Sequence, residues 1–127
     1  MPDSLIYQEW YKKAEQDLRG AKIMFEHVAE DDFGFVAFHC QQAIEKKLKG
    51  MKLKKDNKLI REHNLLELYD YIVEFYPDIK KFQKDLSFVN GYYVKTRYPQ
   101  ELPKSLSQED AAECIRIAEE ILGIDAE

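Results

Sequence analysis

The 127-residue sequence predicts an all-α protein, an up-and-down helical bundle of four long helices plus a fifth helix at the C-terminus. Three observations predict this class. Apolar residues recur at spacings of three and four, the period of an amphipathic helix. Connections are short, apart from one long connector before the last helix. The length suits a single hydrophobic core, so residues 1–127 are predicted to form one domain.

Composition narrows the possible classes of function. Hydrophobic residues make up 45% and charged residues 34%, the balance of a folded globular chain. No apolar run approaches the roughly 20 residues that a membrane helix needs. The N-terminal segment lacks the basic-then-apolar pattern of a signal peptide, so a cytoplasmic location without membrane contact is expected. The net charge of −5 argues against indiscriminate binding along nucleic acid.

The first helix is predicted to begin at Asp3 or Ser4, both good N-caps, and to run to about His27. Its inner face is a stripe of apolar residues spaced three or four apart: Trp10, Ala14, Leu18, Ala21, Phe25 and Val28. The acidic residues that follow, Glu30 to Asp32, supply a turn and suit the start of the next helix.

The second helix is predicted over Phe33 to Met51, with its end between Gly50 and Leu53, and the rest of the chain is organised around it. Beside its apolar stripe, His39, Gln42 and Lys46 form a polar stripe at spacings of three and four. Two interpretations are open: a solvated face, or side chains that hold a ligand.

A group of lysines crowds the end of this helix and the connector after it. The cations suit the negative end of a helix dipole, or they form a local phosphate-attracting patch on an acidic protein. The connector contains the turn signal Asp56-Asn57 and is short enough to make neighbouring helices antiparallel. The lysines are Lys46, Lys47, Lys49, Lys52, Lys54, Lys55 and Lys58.

The third helix is predicted over about Asn64 to Tyr76, with His63 at or near its cap. Pro77 ends it, and Asp78 is placed to cap a fourth helix. The apolar stripe of that fourth helix is Ile79, Phe82, Leu86, Val89 and Tyr93.

The long connector, Asn90 to Leu106, contains Gly91, Pro99 and Pro103, so regular helix is predicted to end in it or before it. Arg97 stands between tyrosines on a backbone that the Tyr98-Pro99 step holds extended. Two roles for Arg97 are open: a cation–π support for the loop, or an anion-binding fork.

The last helix has a clear start, because Ser107 and Asp110 approximate a capping box. Gly123 is predicted as the residue just past its C-terminus. Its inner stripe is Ala111, Ile115, Ala118 and Leu122.

Motifs of enzyme chemistry are absent from the sequence. There is no glycine-rich phosphate loop, no spacing of a nucleophile with histidine, and no metal-ligand pattern, so no metal and no cofactor are predicted. Cys40 and Cys114 fall on apolar helix faces and are expected to be buried free thiols. His39 and Cys40 point about 100° apart on a helix and cannot readily share an ion.

Three motifs in order resemble the HEPN domain family, small all-helical nucleotide-associated proteins of prokaryotes. They are Phe38-His39-Cys40-Gln41-Gln42-Ala43-Ile44-Glu45-Lys46, His63-Asn64-Leu65-Leu66-Glu67-Leu68, and Tyr93-Val94-Lys95-Thr96-Arg97-Tyr98-Pro99. The opening helix, with Trp10, Ala14, Asp17 and Leu18, and the closing helix fit the family as well.

The resemblance implies a helical bundle that pairs as a homodimer. It also implies a partner, a minimal nucleotidyltransferase, in a pair interpreted as a toxin–antitoxin system. Many members of the family are metal-independent ribonucleases whose site is an arginine followed, after four to six residues, by histidine. Here Arg97 has no histidine at that distance, so the resemblance supports a nucleotide- or RNA-related pocket more than it supports cleavage.

The predicted site is a polar groove in which Arg97 folds back against the glutamine-bearing face of the second helix. In it Arg97 holds a phosphate, Tyr98 stacks on a base and Gln42 bonds the base edge. Two alternatives are a divergent ribonuclease, with His39 or His63 as base, and a structural role in which Arg97 pairs with Glu45. The predicted ligand-binding residues are His39, Gln42, Glu45, Lys46, His63, Tyr93, Arg97 and Tyr98.

Overall fold

A computed structural model describes residues 3–27, 33–97 and 107–126, apart from the side chains of residues 93–97. Five α-helices and one 3-10 helix make up the described chain, with no strand among the described residues, so the predicted all-α class is confirmed. In order they are α1 (Tyr7–His27), α2 (Phe33–Asp56), α3 (Leu65–Ile72), the 3-10 helix (Pro77–Phe82), α4 (Gln83–Arg97) and α5 (Gln108–Leu122). None of the described helices is long and apolar enough to cross a membrane.

Helix α2 is the centre of the bundle. It packs most extensively against α1, then against α5 and α4, and it also contacts α3. Because other helices cover α2 on several sides, its burial extends well beyond one apolar stripe and includes Gln41, Glu45, Lys47, Lys49 and Lys52. The second helix therefore carries buried polar groups that need partners inside the protein.

The close approach of α1 and α2 depends on Gly50. A Cβ atom at this position would lie 2.7 and 2.8 Å from ring carbons of Tyr11 and 3.1 Å from Cβ of Trp10. Gly50 is thus a packing residue within the helix, and the predicted end between Gly50 and Leu53 is wrong. Helix α2 continues to Asp56 and stops where Asn57 adopts a left-handed φ of 58°.

The third and fourth helices differ from prediction in their bounds. Helix α3 ends at Ile72, four residues before the predicted Tyr76, and the segment predicted to open the fourth helix is the 3-10 helix. Helix α4 then runs through Gly91 to Arg97, well into the predicted connector. Gly91 has open space around it, so a helix can pass through it at a modest entropic cost.

The first and last helices agree with the prediction in part. Helix α1 begins at Tyr7 rather than at Asp3 or Ser4. The predicted cap of α5 is confirmed, because the Ser107 side chain accepts a hydrogen bond from the Asp110 backbone N–H at 3.0 Å. Gly123 does end α5, but with an ordinary φ of −76° rather than a left-handed one.

The two cysteines are buried and free, as the sequence predicts. Burial raises the pKa of the Cys114 thiol to about 12 and also raises the pKa of Cys40. Both thiols therefore act as small core residues.

Candidate functional site

A groove of about 560 Å³ opens between the N-terminal half of α1, the middle of α2 and the connector that leads to α3. Its lining mixes an apolar and aromatic part with charged groups of both signs. The lining residues are Trp10, Lys13, Gln16, Asp17, Glu45, Lys46, Lys49, Leu59, Ile60, Arg61 and His63.

The Glu45 carboxylate lies beneath this groove and is almost fully buried, with 6% of its side chain exposed. Its Oε2 accepts from Lys49 Nζ at 2.9 Å and lies 2.9 Å from His63 Nδ1. Its Oε1 accepts a hydrogen bond from Gln41 Nε2 at 3.3 Å. Spacings of four place Gln41, Glu45 and Lys49 along one stripe of α2, so the helix itself assembles most of this network.

His63 is the exposed member of the network, with 62% of its side chain accessible. Its Nδ1 faces Glu45, while Nε2 on the other side of the ring has no partner among the described residues. The backbone of His63 is held at both ends: its N–H donates to Glu62 Oε1 at 2.9 Å, and its carbonyl accepts from Gln41 Nε2 at 3.3 Å. The structure therefore presents one anchored imidazole at the edge of the groove.

The other charged groups of the groove come from three elements. Lys46 Nζ of α2 lies 2.5 Å from Asp17 Oδ2 of α1, and both side chains are partly buried. Arg61 of the connector pairs with Asp3 at 2.8 Å, with both side chains largely exposed. Lys13 of α1 is exposed at the rim. An anion that entered this groove would thus meet Lys13, Arg61 and His63 on its outer edge.

The structure brings three of the predicted site residues together and leaves two others out of the groove lining. Glu45, Lys46 and His63 line the groove. Gln42 does not line it and donates to Gln41 Oε1 at 3.1 Å. His39 does not line it; its ring packs edge-on against Phe38, with 5.8 Å between centroids.

The remaining predicted residues are Tyr93, Arg97 and Tyr98. Tyr93 and Arg97 belong to α4, but their side chains lie outside the described part of the structure, and Tyr98 lies outside it altogether. That Arg97 folds back onto the face of α2 stays a prediction.

Sequence reasoning missed Lys49 and gave Gln41 no role in the site. The spacing of four between Gln41, Glu45 and Lys49 was a usable signal, since each could bond the next along a helix. It was obscured by the surrounding lysines, which look like a solvated helix end.

The lysine group is less available to a phosphate than its density in the sequence suggests. Three of the seven lysines are buried, and four of the seven pair with a carboxylate, which offsets their charge. The contacts are Lys46–Asp17, Lys49–Glu45, Lys52–Asp56, Lys54–Asp125, Lys47 to the Asp125 carbonyl, and Lys55 over the Tyr76 ring.

An all-α bundle with a polar groove beside its central helix is the class that the fold and site define. A family model described as "HEPN domain" matches residues 7–127. The chain belongs to the HEPN domain family, and the resemblance carried by its three motifs is confirmed. Membership supports a nucleotide- or RNA-associated role in general terms.

Among solved structures, the fold is similar to that of TT1696 from Thermus thermophilus. The match has a TM-score of 0.77 and 24% sequence identity, and it covers 94% of each chain. At this identity the likeness shows a shared fold alone. No curated protein sequence matches the chain.

Proposed function

We propose that this protein is a binding module that holds a nucleotide, or a phosphate of RNA, in the groove between α1, α2 and the connector. The observation that carries the proposal is His63, an exposed imidazole anchored on a buried carboxylate at the groove edge. Buried, fixed partners beneath an exposed polar group are typical of a site built for a ligand. Family membership supports the class of ligand.

The chemistry of the groove fits a phosphate ester better than a free base. Lys13, Arg61 and His63 offer donors to phosphate oxygens at the open edge. Leu59 and Ile60 offer apolar surface to a ribose or base. A volume of about 560 Å³ lies within the usual range for small-molecule sites. In this proposal Arg97 adds a second phosphate contact, Tyr98 stacks on the base and Gln42 bonds its edge.

We expect the protein to act as the helical component of a pair with a minimal nucleotidyltransferase, as toxin or as substrate-binding subunit. We also expect it to form a homodimer, which is the commonest symmetric assembly of soluble proteins. Sedimentation of the purified protein tests the dimer. Co-expression with a nucleotidyltransferase encoded beside it tests the pair.

Titration calorimetry with AMP and with a short RNA tests the binding function. We expect His63→Ala and Arg97→Ala each to weaken binding about tenfold, or about 1.4 kcal/mol. His27→Ala and Arg19→Ala are matched controls, because both residues are exposed on α1 and do not line the groove. If neither AMP nor RNA binds the wild-type protein, the proposed function is wrong.

A divergent, metal-independent ribonuclease is a second candidate function, and one observation favours it. Of the two histidines predicted as the base, His63 has a carboxylate partner, whereas His39 packs against Phe38. His63 would take the proton of a ribose 2′-hydroxyl as that oxygen attacks phosphorus and the bond to the 5′-oxygen breaks, and the leaving 5′-oxygen would take a proton from water. Arg97 would stabilise the phosphorane.

Labelled RNA incubated in EDTA distinguishes the ribonuclease from the binding module. Cleavage that disappears in both Arg97→Ala and His63→Ala, and persists in His39→Ala, would establish the enzyme. If Arg97→Ala only lowers the melting temperature and leaves all binding intact, the structural alternative applies, and Arg97 supports the fold without binding the ligand.

A further inference from the structure

We infer that Glu45 is a positioning residue that holds His63 in one tautomer. In this arrangement Nδ1 of His63 donates to Glu45, and Nε2 is left as the atom that meets a phosphate oxygen of the ligand. The contact with phosphate rests on the proposed function. The positioning of His63 by Glu45 does not rest on the proposed function, because it is a property of the protein without ligand.

The Glu45 carboxylate has a buried cation as its partner. Glu45 is buried, and a buried carboxylate is retained in its charged form when a cation pairs with it. Lys49 supplies that cation at 2.9 Å, and its own side chain is only 6% exposed. Lys has donors and no acceptor, so the pair leaves Glu45 as an acceptor for its remaining neighbours.

The contact between Glu45 and His63 has a defined donor and acceptor. An ionised carboxylate only accepts, so the His63 nitrogen that faces it at 2.9 Å must carry the proton. A neutral imidazole protonated on Nδ1 has a bare Nε2. When the ring is protonated, the same Nε2 becomes a donor without any change in geometry, as a contact with phosphate requires.

Several contacts restrain His63. Gln41 Nε2 bonds both the Glu45 carboxylate and the His63 carbonyl, each at 3.3 Å, so one side chain ties the base of the network to the backbone of the histidine. Asn64, the next residue, caps α3. The imidazole is therefore anchored at its ring and along its main chain, which lowers the entropic cost of ordering it on a ligand.

The charge balance of this arrangement suits an anion. Lys49 offsets Glu45, and Lys46 offsets Asp17, so the two acids that line the groove are each paired. Glu62 is turned to the backbone N–H groups of His63 and Asn64. A phosphate beside Nε2 thus meets His63, Lys13 and Arg61 rather than an unpaired carboxylate.

Nitrogen-15 NMR of the imidazole rings in the ligand-free protein tests the positioning directly. We expect His63 to show a protonated Nδ1 and a bare Nε2 in its neutral form. The double variant Glu45→Gln, Lys49→Met removes both buried charges together, and we expect it to lose this preference. His63→Asn assigns the signals, and His27 serves as an internal control because its neighbour Glu26 is exposed. A wild-type His63 protonated on Nε2 would overturn the inference.

Titration with AMP then tests the consequence for binding. We expect the double variant to bind about threefold to tenfold more weakly than wild type, and His63→Asn to bind about tenfold more weakly. Circular dichroism confirms that each variant is folded. Equal affinity in wild type and double variant, with the tautomer preference lost, overturns positioning but not the proposed function. If His63 shows the expected tautomer but the protein binds neither AMP nor the short RNA, the proposed function and the phosphate contact are wrong, and the positioning of His63 by Glu45 still holds.

Discussion

Buried polar side chains on the central helix are the residues on which the site depends. Taking a carboxylate out of water costs several kcal/mol unless hydrogen bonds and a counter-charge replace the solvent. Glu45 receives both, from Lys49 and from the donors Gln41 and His63. The same contacts that permit burial of Glu45 also define the geometry of the groove edge.

Removing the lysine of the Glu45–Lys49 pair should destabilise the fold. We predict that Lys49→Met lowers the free energy of unfolding by about 3–5 kcal/mol, because it leaves Glu45 buried without its cation. The double variant Glu45→Gln, Lys49→Met should recover a large part of that loss. Urea denaturation measures both values.

Lys22→Met is the matched control for this pair. Lys22 pairs with Glu119 at 2.5 Å, but both side chains are about half exposed. We expect a change within about 1 kcal/mol, as for other solvent-exposed pairs. If the double variant is no more stable than Lys49→Met, burial of the unpaired carboxylate is not the cause of the loss.

At the level of elements, the contact between α1 and α2 is tight enough to require a glycine. We predict that Gly50→Ala destabilises the protein by about 1–3 kcal/mol, because the added methyl group meets the ring of Tyr11. Gly20→Ala should instead stabilise it by about 0.5–1 kcal/mol, since Gly20 is a helical position with open space around it. Thermal unfolding compares the two. Shifts of the same sign would contradict the packing argument.

Helix α3 has eight residues, too few to be stable without help from neighbouring elements. Asn64 caps it by accepting from the N–H groups of Leu66 and Glu67 at 2.9 and 3.2 Å. Asn90 of α4 accepts from the Leu65 N–H at 3.0 Å. One short helix is thus fixed from within and from across the bundle.

We predict that Asn90→Ala lowers the free energy of unfolding by about 1–3 kcal/mol, because the Leu65 N–H is left buried without an acceptor. Hydrogen exchange at the start of α3 should accelerate more than the global stability change requires. Ser107→Ala removes the cap of α5 and is the control: it should cost about 1 kcal/mol and leave α3 no more affected than the other helices. Equal acceleration in both variants would show that Asn90 acts only through global stability.

Periodicity was enough to predict α1, α2 and α5, because each presents a repeating apolar face to the core. It failed at Gly50 and the lysines after it, which resemble a helix end. Only the packing of Tyr11 and the ion pairs of Lys49 and Lys52 show why that segment is buried helix. Likewise, Pro77 marks a break in the sequence, but nothing local shows that a 3-10 helix precedes α4.

The residues of the candidate site were predictable in part from the sequence, but the contacts between them were not. Glu45 and His63 were identified through motifs, yet their contact joins residues 18 positions apart in the chain. The role of Gln41 depends on a carbonyl in a connector whose path the sequence does not reveal. Local patterns can identify such residues but cannot show which of them meet.

Across the whole molecule, a single C-terminal residue joins segments from both halves of the chain. The Asp125 carboxylate accepts hydrogen bonds from Tyr11 at 2.8 Å, Lys54 at 2.9 Å and Tyr76 at 3.5 Å. Its carbonyl accepts from the buried Lys47 amine at 3.2 Å. Lys47 also lies 3.7 Å from the centre of the Tyr11 ring. This cluster fixes the segment after α5 against α1, α2 and the segment after α3.

The cluster should give the protein an unusual response to alkaline pH. Burial lowers the pKa of Lys47 from 10.5 to about 8 in the folded protein. Between those values the unfolded chain binds more protons than the native state, so this lysine makes the free energy of unfolding rise with pH. Burial raises the pKa of Tyr76 to about 12 and raises that of the two thiols, and these groups act in the opposite direction.

The contribution of Lys47 is therefore measured as the difference in the free energy of unfolding between wild type and Lys47→Met. We predict that the stability of wild type relative to Lys47→Met increases from pH 8 to pH 10, by at most about 1.4 kcal/mol per pH unit. Urea denaturation at constant ionic strength measures both proteins across this range. Lys22→Met, which removes a half-exposed amine, is measured in parallel as the control. A flat difference for Lys47→Met would mean that the amine keeps its proton throughout, held by the Asp125 carbonyl and the face of the Tyr11 ring.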